Sequence, residues 1–409
     1  RQAKLTKEDI VAFANKYLKE DNYAVIYKKQ GKDPNEKKMT KPEITPIITN
    51  RDVASPFLVE VQESAVKPIE PVFLDYQKDM SQLKAKSDIP ILYKQNVAND
   101  LFQLIYVFDM GNNHDKALGT AFDYLEYLGT SDMTPEELKS EFYRLACTFY
   151  VSPGNERTYV VLSGLNENMP AAVQLFEKLL ADAQVNKEAY TNMTSDILKA
   201  RSDAKLNQGQ NFSRLMSFAM YGPKSPATNL LTEAELTNMN PQELVDRIHN
   251  QNSYKHRILY YGPSSSKDLL ATINQYHQVP AALKDIPAGN EYAYLETPVT
   301  KVLVAPYDAK QIYMAQISNL DKKYDPAIEP IRALYDEYFG GGMNSIVFQE
   351  MRETRGLAYS AWASIMPPSY LKYPYVLRTQ IATQNDKMID AVTTFNDIIN
   401  NMPESEAAF

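Results

Sequence analysis

A chain of 409 residues, 44% apolar and 23% charged, has the composition of an ordinary globular protein. At roughly 100–200 residues per domain its length predicts two or three domains. No apolar run approaches the roughly 18 residues of a membrane-spanning helix, and the net charge of −8 argues against a nucleic-acid partner. One cysteine, Cys147, excludes an internal disulfide and any structural zinc site built from several cysteines.

The first predicted element is a helix. Thr6 is a good N-cap, Glu8 and Asp9 suit the first turn, and Ile10, Phe13, Ala14 and Tyr17 follow at helical spacing. YAVIY (Tyr23–Tyr27) then reads as a strand. A helix and one strand have no core of their own, so residues 1–30 read as the tail of a preceding domain cut through its middle. Residues 31–87, rich in proline, read as an interdomain linker. Its basic run, Lys28–Lys41, is interrupted by Asp33 and Glu36 and reads as a solvated face rather than a phosphate site.

From residue 88 order is expected to return. PILYKQ, FQLIYVFDMG, CTFYVS and YVVLSG read as strands. DKALGTAFDYLEYLG, MTPEELKSEF, PAAVQLFEKLLADA and KEAYTNMTSDILKARSDAK read as helices. A second linker is expected at 278–298, and a second domain over 299–409. The last segment, MPESEAAF, reads as the start of a helix that the chain does not complete.

An internal repeat organises these elements. LTKEDIVAFANKYLKEDNYAVIYK aligns without a gap on Met239–Gly262, and EYLGT (Glu126–Thr130) matches EYFGG (Glu337–Gly341). Val173, Phe176 and Leu180 each lie 219 positions before Val392, Phe395 and Ile399, and PPSYLKYP (Pro367–Pro374) houses the residues by which the second copy is longer. Each trio is expected to be one buried helical stripe. Strands interleaved with long helices predict an α+β fold of repeated layer domains, a mostly antiparallel sheet covered by helices on one face.

The usual catalytic signals are missing. His114, His249, His256 and His277 are the four histidines, and none stands at zinc-ligand helical spacing. Each is expected to be surface or core filler, and Cys147 a small buried hydrophobe. The run Gly340–Gly342 is expected to form a tight helix-to-helix turn needing positive φ.

One segment is more specific. In EYFGGGMNSIVFQEMRETRGLAYSAWAS (Glu337–Ser364) a glycine turn precedes a helix, an R-E pair and then G-L-A-Y-S. This resembles the pitrilysin-type zinc peptidases, the family of insulin-degrading enzyme and mitochondrial processing peptidase. The resemblance implies four homologous α+β domains in two halves, with this chain running from the end of the second domain into the fourth. It places the family's zinc on an inverted H-x-x-E-H helix in a half outside this chain. The equivalent position in the third domain is DYLEY (Asp123–Tyr127), where Asp123 and Tyr127 replace the metal histidines and Glu126 remains, so no metal is expected here. The same resemblance assigns substrate binding to Arg352 and Tyr359, whose guanidinium and phenol are both donors suited to a peptide carbonyl or a developing oxyanion.

The function so implied is that of the C-terminal, non-metal-binding half of a zinc-dependent endopeptidase, closing a chamber over a peptide or protein substrate. The alternative is a catalytically inactive assembly or scaffold subunit of the same family. The partner in either case is the N-terminal half of the same protein or a separate subunit. A periplasmic or other extracytoplasmic bacterial site is compatible with the resemblance, and the residues themselves leave location open.

Overall fold

The computed structural model describes residues 4–21, 23–28, 31, 55–368 and 370–402. The chain divides into two compact units, Arg1–Val72 and Phe73–Phe409. The expected helix in MPESEAAF lies beyond the described residues, as does the basic run apart from Lys28 and Gly31.

The first unit contains α1 (Lys7–Tyr17) and α2 (Pro56–Glu63). Thr6 caps α1 through a capping box, its hydroxyl accepting from the Asp9 N–H while the Asp9 carboxylate accepts from the Thr6 N–H. Tyr23–Tyr27 is not a strand, contrary to the sequence expectation. β-Branched and aromatic residues favour a strand only where a neighbouring edge accepts their backbone hydrogen bonds.

Among the described residues the second unit holds two sheets. The larger has six strands: β1 (Ser81–Lys84), β2 (Pro90–Gln95), β3 (Leu101–Phe108), β4 (Cys147–Pro153), β5 (Thr158–Leu165) and β6 (His256–Gly262), in the order β1-β2-β6-β3-β5-β4. Only β2 and β6 run parallel. The edge strand β1 lies inside the stretch expected to be linker, and its short polar sequence carries little strand signal of its own. The helices of this part are α3 (Leu118–Leu125), α4 (Pro135–Arg144), α5 (Met169–Asp182), α6 (Lys187–Ala204), α7 (Gln208–Tyr221), α8 (Glu233–Asn238), α9 (Gln242–Asn250) and α10 (Ser266–Tyr276). Phe102, Leu104, Tyr106 and Phe108 alternate along β3 toward one face, where Leu118 and Tyr124 of α3, Phe176 of α5, Ile248 of α9 and Ile273 of α10 join the same core. Val279, Leu283 and Ile286, within the expected second linker, pack against this core as well.

The smaller sheet is β7 (Gln311–Lys323), β8 (Ser360–Met366) and β9 (Pro374–Gln384), all antiparallel in the order β7-β9-β8. With it go α11 (Glu329–Asp336), a π-helical turn at Glu337–Gly341, the short α12 (Ile346–Phe348), a second π-helical turn at Gln349–Thr354, and α13 (Met388–Asn400). The α+β class read from the sequence is the observed one.

The paired helical positions 219 residues apart are buried alike only in part. Val173, Phe176 and Leu180 are buried on α5, and Phe395 is buried on α13, but Val392 and Ile399 are only half-buried. The buried set of α13 is Ala391, Phe395 and Ile398, matching Ala172, Phe176 and Leu179 at the same spacing. The smaller sheet offers three strands of cover, so the rim of the second stripe reaches solvent. The glycine turn is also corrected. None of Gly340, Gly341 and Gly342 has positive φ. Gly340 is required by crowding, because a Cβ there would sit 2.3 Å from the Ala363 carbonyl oxygen on β8.

The histidines are less bland than expected. His256 Nε2 lies 2.8 Å from His277 Nε2, and His277 Nδ1 lies 2.6 Å from Glu177 Oε1. All three side chains are buried. The Tyr254 carbonyl, 2.7 Å from His256 Nδ1, can only accept, so that nitrogen carries a proton. Three contacts in series therefore hold three protons. Two neutral imidazoles with a carboxylic acid supply them, as does an imidazolium–carboxylate pair with one neutral imidazole. Either way the chain of groups is neutral overall. Asn252 Nδ2 and the Gln278 N–H donate to the second Glu177 oxygen, at 2.9 and 3.0 Å. This network fastens α5 to β6 and to the end of α10.

Candidate functional site

Arg352 and Tyr359 are brought together by a fold-back of the chain. The π-helical turn Gln349–Thr354 ends at Arg355, and Gly356 follows at φ +58°, a conformation that favours glycine. The Gly356 N–H donates to the Arg352 carbonyl at 3.1 Å, and the Leu357 and Ala358 N–H groups both donate to the Met351 carbonyl at 2.8 and 3.2 Å. The Tyr359 N–H then enters the ladder by donating to the Ala382 carbonyl on β9 at 2.9 Å. Tyr359 therefore sits immediately before β8, directly beside the helix end that carries Arg352.

The Arg352 guanidinium lies 5.0 Å from the Phe348 ring centroid and 5.4 Å from that of Tyr359, a cation held against two aromatic rings. Its charged neighbour is Glu353, with Nε 3.6 Å from the carboxylate, too long for a hydrogen bond. Glu350 pairs with Arg355 instead. Among the described residues neither the Arg352 guanidinium nor the Tyr359 hydroxyl makes a hydrogen bond, and Tyr359 is 70% exposed. Both line one pocket of about 260 Å³, together with Gln311, Gly356, Thr383, Gln384 and Lys387. Lys387, which sequence reasoning did not single out, reaches this pocket from the turn after β9 and donates to the Gly356 carbonyl at 3.0 Å.

DYLEY offers a different environment. Asp123 is on α3, Glu126 is its C-cap in a helical conformation, and Tyr127 lies just beyond the helix. Burial, reinforced by the nearby Glu126 carboxylate, raises the Asp123 carboxyl above its ordinary range. Beside them an open groove of about 750 Å³ is lined largely by apolar side chains, among them Phe122, Leu125, Phe142 and Phe149. No group of three or more His, Cys, Asp and Glu able to hold a metal occurs among the described residues. Two carboxylates without an imidazole do not fit zinc. His256 and His277 contact each other directly and leave no room for an ion between them. Cys147 is buried on β4, and burial raises its thiol, which keeps it neutral.

No family model matches the chain. It is 20% identical, over 263 residues, to an uncharacterized zinc protease of Rickettsia felis, a match spanning 61% of this chain and 60% of that protein. Solved structures share its fold. An inactive domain of a peptidase M16 from Pseudomonas fluorescens aligns with TM-score 0.62 at 16% identity, over 80% of each chain. The periplasmic protease PqqL of Escherichia coli aligns with TM-score 0.67 at 14% identity, over 99% of this chain and 42% of that one. The ferredoxin protease FusC, solved in complex with Arabidopsis ferredoxin, aligns with TM-score 0.62 at 12% identity, over 98% and 42%. The resemblance to zinc peptidases is thus matched in sequence by a zinc protease over 263 residues, and in fold by an inactive domain of an M16 peptidase and by two further proteases. The chain spans about 60% of the length of the curated relative it matches.

Proposed function

We propose that this chain is the non-metal-binding, substrate-contacting part of a zinc endopeptidase, closing a chamber over a peptide. Residues 88–277 and 299–409 are then two copies of one peptidase-like domain, neither holding the metal. Zinc belongs to residues outside this chain, in the N-terminal half of the same protein or in a partner subunit. The substrate is a peptide or protein, and the periplasm, where one structural neighbour acts, is the proposed compartment.

The observation that carries this reading is the pair of unspent donors. Arg352 and Tyr359 face one open pocket, set by a glycine turn and by stacking, and among the described residues neither side chain makes a hydrogen bond. Preorganised donors without partners suit an oxygen ligand that arrives with substrate. In the full-length protein, Arg352→Ala or Tyr359→Phe is expected to lower peptide turnover while zinc content and melting temperature stay at the wild-type level. A lost donor to a developing oxyanion is worth up to roughly 2.7–4 kcal/mol, a fall of about 100–1,000-fold in the chemical step. A contact made only to bound peptide appears in KM instead. Wild-type kinetics in both variants would remove these residues from the site. A full-length protein without zinc or turnover would favour the assembly subunit.

A further inference from the structure

The pocket holding Arg352 and Tyr359 contains a second cation. Lys387 also lines it, and among the described residues no carboxylate lies within ion-pairing distance of its ammonium group. Of its three N–H groups one is spent on the Gly356 carbonyl. Arg352 has only the loose contact with Glu353. Two positive side chains thus face one small pocket against a single carboxylate. The remaining polar groups lining it, those of Gln311, Thr383, Gln384 and Tyr359, are neutral.

Within the fold Lys387 closes the 3-10 turn Asn385–Lys387 that runs into α13, and its ammonium ties that turn to the Gly356 carbonyl. It makes no capping hydrogen bond, and it adds positive charge to the positive end of the helix dipole.

We propose that Lys387 is a third substrate-facing residue and that this pocket takes a carboxylate of the bound peptide, either an acidic side chain or the C-terminal carboxylate. A neutral carbonyl is satisfied by one or two donors and gains little from a second cation. A carboxylate offers about four lone-pair sites and a negative charge, which together match the guanidinium, the ammonium and the phenol. The inference rests on the reading that Arg352 and Tyr359 face the peptide, and it adds the charge of the group they meet.

The test is peptide binding to the full-length protein at low ionic strength, followed by fluorescence anisotropy. The probes are one fluorescein-labelled peptide of small and apolar residues in three forms: C-terminal acid, C-terminal amide, and amide with one central glutamate. At least one carboxylate form is expected to bind wild type roughly three- to tenfold more tightly than the plain amide. A preference for the C-terminal acid identifies the chain end as the source, and a preference for the glutamate form identifies a side chain. Lys387→Gln, which retains a donor for the Gly356 carbonyl, is expected to reduce that preference to under about twofold, and Lys387→Arg to restore it. Loss of preference in both variants would assign Lys387 to holding the turn and overturn the proposal. So would an unchanged preference in Lys387→Gln, or none in wild type. If Tyr359→Phe still weakens the plain amide in any of those cases, only the carboxylate inference has failed. If none of the three forms binds wild type, or if neither Tyr359→Phe nor Arg352→Ala alters binding of any form, the parent reading has failed with it.

Discussion

Acidification from about pH 7 to about pH 5 is expected to destabilise this protein through His256. Burial first, then electrostatic repulsion from the neighbouring imidazole of His277, lowers its imidazole from 6.5 to about 4, against an opposing effect of the Tyr254 carbonyl. The folded protein therefore refuses a proton that the unfolded chain accepts throughout this window. Stability from this group is fully present above about pH 6.5 and falls as the pH drops toward 4. Integrating between the two values gives a loss of about 2 kcal/mol at pH 5. Geometry gives the same sign. With Nδ1 bonded to Tyr254, a second proton on His256 must go to Nε2, where the His277 N–H already points. The assay is urea unfolding followed by circular dichroism at both pH values, comparing wild type with His256→Gln. Glutamine at this position still accepts from His277 but does not titrate. The comparison is needed because the raised Asp123 carboxyl acts in the opposite direction as the pH falls. A wild-type loss no larger than that of the variant would refute the reasoning.

Other expectations concern the repeated core, the turn and the metal. Phe395→Ala should cost about 3–5 kcal/mol, because Phe395 is fully buried on α13, while Val392→Ala on the half-buried rim should cost about 1 kcal/mol. The sole tryptophan, Trp362 on β8, reports both by fluorescence during urea unfolding. Gly340→Ala should cost about 1–3 kcal/mol even though its φ suits alanine, since the new methyl would meet the Ala363 backbone. A melting temperature equal to wild type would contradict that contact. Metal analysis of the purified chain should find far less than one zinc per chain. A tightly held equivalent would show that the Asp123–Tyr127 region, or some other group, binds metal after all.

Much of this molecule is written in short-range patterns. The Thr6 and Thr134 capping boxes, the proline that opens α4, the apolar stripes of α5 and α13, and the alternation along β3 depend on neighbours within a few positions. Each is therefore legible from sequence, as is the α+β class that follows from them. The Arg352–Tyr359 pair is also close in sequence, joined by one glycine turn, but only the family resemblance singled it out.

What the sequence left undecided involves partners far apart in the chain. Val25 and Ile26 have strand-forming side chains but no ladder, whereas the equivalent residues of β6 lie between β2 and β3 and are paired on both sides. His256, His277 and Glu177 share no local pattern, and only the docking of α5 against β6 and α10 makes them one network. Lys387 reads as an indifferent surface residue until the turn after β9 brings it to the pocket that Arg352 lines. Backbone pairing and electrostatics act between groups that touch in space, so these features were decided by tertiary structure. Periodicity and capping act between groups that are close in sequence, so those were already present in the chain.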